Sequence, residues 1–137
     1  MIMGLTNAAI MTGATACTIT PTGGTTQTFS PDGLDVTNGL HIADVGQSDV
    51  RLQRTITVRN RRPTLQPSGK WSKWKRFITI ITPYLKADGT IVNNYERIER
   101  EFDPETPAAV VLSNRYVAAQ ALVDSDFDGF HNSGSLS

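Results

Sequence analysis

The feature that most constrains this chain is a change of hydrophobic period part-way along it. Between Arg51 and Arg61, residues alternate: Leu52, Ile56 and Val58 fall on one side, and Gln53, Thr55, Thr57 and Arg59 on the other. Period two with β-branched residues marks a strand with one apolar face. Pro63, Pro67 and Gly69 interrupt it as a loop, and Trp74–Pro83 follows as a second strand. Asp88-Gly89 is a hairpin dipeptide that turns the chain into a third strand over Thr90–Phe102. After Asp103 the period lengthens. Pro104–Pro107 suits a helix start, and Ala108–Val123 is Ala-rich, with Val110, Val111, Asn114, Val117, Ala118, Ala121 and Leu122 at three- and four-residue spacing. That spacing predicts an amphipathic helix.

The first fifty residues read as further β structure. Ala16–Thr20 and Thr25–Ser30 flank Pro21-Thr22-Gly23-Gly24 as an expected hairpin. Pro31-Asp32-Gly33 is a turn signal, and Gly39–Val45 is a short strand around Leu40 and Ile42. Strands followed by one helix make an α+β fold, with the helix segregated to one face of an antiparallel meander of about five strands. We read a single domain, as 137 residues allow. Residues 1–50 hold the hairpin and first sheet strand, 51–102 the main sheet, 103–130 the C-terminal helical region and 131–137 a loosely packed tail. One helix covers a five-stranded sheet poorly. Its apolar stripe, the seven residues from Val110 to Leu122 named above, is better buried against a second subunit, so a homodimer is expected.

Net charge is zero, yet it is partitioned. Residues 1–50 carry four acids and no Lys or Arg, residues 51–86 ten bases and no acid, and residues 87–137 nine acids and three bases. A middle third at +10 suggests a polyanionic partner such as nucleic acid. Mutual neutralisation of basic and acidic strands within the fold accounts for the same pattern.

Several function classes find no support. His41 and His131 lie in unrelated contexts, and no nucleophile elbow, zinc spacing or phosphate-binding glycine motif is present. The chain is therefore read as a non-enzyme without cofactors. The lone Cys17 permits no intramolecular disulfide and is read as a small strand residue in a reducing cytoplasm. No apolar run approaches the roughly 20 residues that span a bilayer, and the N-terminus lacks the basic start of a secretory signal. No membrane partner is expected. Asp124, Asp126 and Asp128, with Gly129, match the start of an EF-hand calcium loop, but position 135 is Ser where the bidentate Glu belongs. An acidic turn after the helix is the plainer reading.

The strand Gln53-Arg54-Thr55-Ile56-Thr57-Val58-Arg59-Asn60, the basic strand ending Thr82-Pro83, the strand Tyr95-Glu96-Arg97-Ile98-Glu99-Arg100-Glu101 and the Ala/Val-rich helix resemble, in order and length, the coat proteins of single-stranded RNA bacteriophages, the levivirus group. The resemblance implies an N-terminal hairpin, a five-stranded antiparallel sheet and C-terminal helices exchanged across a dimer. Dimers would build an icosahedral shell in the host cytoplasm, with the sheet facing single-stranded viral RNA. The same sheet would hold an RNA stem-loop that represses the replicase message. One departure stands out. The family has room for another strand and a long loop before the last strand, whereas here only Tyr84–Lys86 and Ala87–Gly89 are available.

Strand positions that match the family's RNA contacts supply the candidate site. Gln53, Thr55, Thr57 and Arg59 project together, and Asn93, Tyr95 and Arg97 share a face of the last strand. Arg and Lys suit phosphates, Thr and Asn suit bases or sugars, and Tyr suits stacking on an unpaired base. The middle strand is ambiguous, since Lys75, Phe77, Thr79 and Ile81 oppose Trp74, Arg76, Ile78, Ile80 and Thr82. Lys75 and Thr79 are assigned to the RNA side. The rival reading is a stand-alone RNA-binding β-sheet protein, a translational repressor without a shell.

Overall fold

The computed structural model describes residues 4–137. They form two compact units, one of residues 22–104 and one joining residues up to 21 to residues 105–137.

The larger unit is a five-stranded antiparallel meander in the order β1-β2-β3-β4-β5. Its strands are β1 (Phe29–Pro31), β2 (Gly39–Asp44), β3 (Thr55–Arg61), β4 (Trp74–Leu85) and β5 (Ile91–Phe102). The long strands lie where period two placed them. Tyr84 and Leu85 do not make a separate strand; they extend β4 and pair with Val92 and Ile91. The connection to β5 is a tight turn in which Lys86 N donates to Thr90 O at 2.8 Å. Asp88 closes it by accepting from Thr90 N at 2.9 Å and from Thr90 Oγ1 at 2.6 Å. Those two bonds, the hydroxyl's first, hold the Asp88 carboxyl below its ordinary pKa.

Register sorts the side chains. Leu40, Val58, Ile78 and Ile98 form one cross-strand row, and Ile42, Ile56 and Ile80 another, so one face of the sheet is aliphatic. At the end of that face Trp74 pairs with Phe102, ring centroids 5.2 Å apart, and the Arg76 guanidinium lies 4.1 Å over the indole. The aliphatic face is not closed: Leu40 is 50% exposed and Val58 38%. Among the described residues Ala43 is the sole buried hydrophobic side chain.

Three expectations for the first half are corrected. Ala16–Thr20 and most of Thr25–Ser30 are not strands, and among the described residues the expected hairpin around Pro21-Thr22-Gly23-Gly24 does not form; of these runs only Phe29 and Ser30, in Phe29–Pro31, join the sheet, paired with β2. Thr-rich alternation there signals extended chain, but extended chain needs a partner strand to become sheet. Cys17 accordingly lies exposed outside any strand. Arg51 does not begin β3. Val50–Leu52 is a 3-10 turn capped by Asp49, whose side chain accepts from Arg51 N, so the strand starts at Thr55.

The smaller unit contains α1 (Ala108–Val123) and α2 (Asp128–Ser133), joined by a 3-10 turn at Ser125–Phe127. α1 has the predicted bounds, but its apolar residues run round the whole cylinder instead of forming one stripe. The N-terminal segment lies along it as an extended strap. Gln120 accepts from Met11 N at 2.9 Å and donates to Met11 O at 2.8 Å. Ser113 Oγ accepts from Gly13 N, and Asp126 Oδ2 from Ala9 N. α2 takes in His131, Asn132 and Ser133 from the expected tail. It ends on Gly134 in the left-handed conformation, whose N–H donates to Phe130 O at 2.8 Å. No helix among the described residues is long and apolar enough to cross a membrane.

The start of β2 is held by a close approach. Asn38 is left-handed (φ 56), and a Cβ on Gly39 would strike the carbonyl oxygen of Val58. Gly39→Ala is therefore expected to destabilise the protein by about 1–3 kcal/mol, read as a lowered thermal midpoint. Gly24→Ala, with open space around it, is the control that leaves the midpoint in place.

Candidate nucleic-acid interface

The second face of the sheet carries the candidate residues. His41, Thr57, Thr79 and Arg97 form one cross-strand row, and Ala43, Thr55, Ile81 and Tyr95 the next. Arg59, Phe77 and Glu99 follow, and Arg61 opposite Lys75 and Glu101 completes the face. Thr55, Thr57, Arg59, Lys75, Thr79, Asn93, Tyr95 and Arg97 thus share one surface, as the sequence suggested. The register resolves the ambiguity of the middle strand, because Lys75 and Thr79 pair with Arg61 and Thr57. Gln53 is the exception. It caps the 3-10 turn before β3, and its side-chain amide donates to Gln47 O at 2.9 Å, which fixes the preceding loop.

The surface is concave. Thr57, Arg59, Phe77, Thr79 and Ile81 line a hollow of about 310 Å³. A second of about 480 Å³ shares Thr57, Arg59 and Ile81 and is bounded by Leu34, Val36 and His41. Its wall is the connection between β1 and β2. His41 Nδ1 lies 2.9 Å from Asp32 Oδ1, which ties the imidazole to that connection. The His41 ring first, and then the Leu34 N–H, hold the Asp32 carboxyl below its ordinary pKa, so it stays ionised. Sequence reading passed over His41 as a lone histidine; its place as the β2 neighbour of Thr57 was the available signal.

Electrostatics separate the two explanations for the charge pattern. Lys75 Nζ sits 3.4 Å from Glu99 and 3.6 Å from Glu101, so one base of the middle third is neutralised by the last strand. Arg51 pairs with Asp49 in the loop before β3, the guanidinium bond holding that carboxyl down. Among the described residues no other base between Arg51 and Lys86 forms an ion pair. The excess positive charge therefore remains on the unit's surface. Tyr95 is 50% exposed, with the Arg97 guanidinium 4.6 Å over its ring. Arg97 steadies the half-exposed ring.

The stripe residues of α1 divide. Val110, Asn114, Ala118 and Leu122 are exposed, whereas Val111, Val117 and Ala121 are half-buried. The acidic turn has local duties. Asp124 accepts from Asp126 N, Asp126 is buried and holds the strap, and Asp128 opens α2. Among the described residues no three acidic, His or Cys side chains gather as a metal site.

No protein-family model matches this sequence, and no curated protein matches it. Solved structures do. A chain of the virus-like particle of bacteriophage GQ-907 superposes with a TM-score of 0.89 at 36% identity, over 98% of this chain and 100% of that one. Chains of the virus-like particles of bacteriophages AVE019 and ESE058 share the fold at 10% and 15% identity. Their TM-scores are 0.68 and 0.66, with coverage of 84% and 81% of this chain and 91% and 87% of theirs. The α+β architecture of a five-stranded antiparallel sheet and two C-terminal helices is common to them, and with the first the sequence relationship also runs the full length. This chain belongs to the family of bacteriophage capsid proteins that form virus-like particles.

Proposed function

We propose that this protein is the coat protein of a single-stranded RNA bacteriophage of the levivirus group. It assembles from homodimers into an icosahedral shell in the host cytoplasm and binds the packaged RNA through the concave polar face of its sheet. The observation that carries the RNA assignment is chemical. One face joins the exposed Arg59, Arg61 and Arg97 to the half-buried hydroxyls of Thr55, Thr57 and Thr79 and to the half-exposed ring of Tyr95. Cations meet phosphates, hydroxyls and amides meet base edges and sugars, and a free aromatic ring meets an unpaired base.

Three features support the dimer. β5 is a twelve-residue edge strand with no strand on its outer side among the described residues. Such an edge demands a partner or protection. The aliphatic face of the sheet is exposed at Leu40 and Val58. α1 carries apolar residues on every side of its cylinder, and Val110 and Leu122 are left exposed. Two copies joined along β5, each laying α1 on the other's sheet, satisfy all three. Val117→Asp would place an unpaired charge in that interface at a cost of several kcal/mol. The expected outcome is loss of soluble particles on electron micrographs; normal particles, or stable soluble monomers with an intact helix, would contradict the exchange.

RNA binding on this face is electrostatic first and selective second. With about five phosphates engaged, affinity for single-stranded RNA should fall roughly 100-fold between 50 and 200 mM salt. Arg59→Ala should weaken all RNAs alike. Tyr95→Ala should weaken a preferred stem-loop by about 1–3 kcal/mol and leave nonspecific packaging nearly intact. Selecting hairpins from the phage genome and measuring each variant against the winner and a scrambled control tests both. A preferred hairpin at the start of the replicase message supports repression of its translation. If no hairpin beats the control, the face packages RNA without reading it.

A further inference from the structure

The β3–β4 hairpin continues past the ends of its strands. Arg61 pairs with Lys75, and the same register runs on to a bridge between Leu65 and Trp71. Ser72 N donates to Thr64 O at 2.9 Å and Gln66 N to Lys70 O at 2.8 Å. The tip, Pro67-Ser68-Gly69, closes with Gly69 N donating to Gln66 O at 2.9 Å and Gly69 at φ +81. The hydrogen-bonded pairs are thus 64 with 72 and 66 with 70. Leu65 and Trp71 form the intervening non-hydrogen-bonded pair, where facing side chains approach most closely. Period two sets Leu65, Trp71 and Lys73 on the same side as Arg59, Arg61 and Lys75, the polar face.

This arm has an unusual surface. Trp71 is 55% exposed and Leu65 62%. The arm carries four bases, Arg61 and Lys73 on the side of Trp71 and Arg62 and Lys70 on the other, and none forms an ion pair among the described residues. No acid lies anywhere between Arg51 and Lys86. An indole left in water among uncompensated cations suits a ligand that is both anionic and flat. An unpaired nucleotide is both at once: its phosphate meets the ammonium and guanidinium groups, and its base covers the ring.

We propose that the arm is a second base-stacking platform, separate from Tyr95 on β5, in which Trp71 takes an unpaired base of single-stranded RNA against Leu65. Arg61 and Lys73, on the same side of the arm, hold the flanking phosphates. The proposal rests on the RNA-binding reading above and extends its footprint from the sheet along the hairpin. Duplex RNA, whose bases are already stacked, gains only the phosphate contacts.

The test uses the full-length protein with 20-nucleotide oligo(A) and an RNA duplex of equal length, measured by filter binding at fixed salt. Trp71→Ala is expected to weaken oligo(A) binding roughly 5- to 150-fold and duplex binding less than twofold. Trp71→Phe, which keeps a ring, should restore most of the loss. Equal binding of oligo(A) by wild type and Trp71→Ala, while Arg59→Ala weakens it, overturns the arm and leaves the sheet's role standing. A wild type that binds neither RNA overturns the RNA reading itself, and the arm with it. Trp71→Ala protein that binds oligo(A) normally but no longer forms particles makes the arm a contact between copies of the chain, and also overturns the proposal.

Discussion

The antiparallel ladder between β4 and β5 is the constraint on which the rest of the sheet unit depends. Twelve consecutive pairs, from Trp74 with Phe102 to Leu85 with Ile91, fix the register of both strands. A slip of β5 by one residue would send Ile98 to the polar side and Tyr95 and Arg97 to the aliphatic one. The tight turn at Lys86–Thr90 pins that register, because Asp88 and Gly89 permit one closure geometry. β3 then pairs with β4, and β2 with β3, so one sorting of faces propagates through four strands. The polar surface is a product of this sorting, and the connection between β1 and β2 adds the wall beside it.

Much of this was legible in the sequence, and the reason is physical. Ile56, Val58, Ile78 and Ile80 alternate with polar residues because one side of the sheet must be apolar, and alternation identifies a strand without knowledge of its neighbours. The Ala-rich run gave α1 for a similar reason. What failed were segments whose structure is set by distant partners. Ala16–Thr20 has strand-like composition, but its neighbourhood supplies no strand to pair with. Residues 9–13 are instead taken up by Ser113, Gln120 and Asp126, about 100 positions away. Gln53 looked like a continuation of the alternating strand until the cap at Asp49 bent the chain one turn earlier. The candidate face was legible residue by residue on β3 and β5. Its concavity was not, because the wall from Leu34 to Val36 is placed by the His41–Asp32 pair and leaves no periodic trace.

The charge pattern illustrates why a block of like charge is informative only when its partners are known. Ten bases in the middle third admitted either internal neutralisation or an external polyanion. In the folded unit, Lys75 alone reaches the acids of β5, held between Glu99 and Glu101. Arg51 is paired with Asp49 in the loop before β3. Arg59 and Arg61 lie two strands from β5, with Phe77 and Lys75 between them and Glu99 and Glu101, and neither forms an ion pair among the described residues.

The strap on α1 has a consequence for how this protein tolerates change. Ala9, Met11 and Gly13 are gripped through their main-chain N–H groups, and Met11 also through its carbonyl. None of those four bonds involves a strap side chain. A helix that grips backbone does not read the strap's side chains through these bonds, so the limits on the strap are set by its main chain. No proline may remove the N–H at positions 9, 11 or 13, and Gly13, at φ +73, holds a left-handed conformation that a side chain would strain. Side chains at positions 9 and 11 can change without breaking the bonds from Gln120 and Asp126.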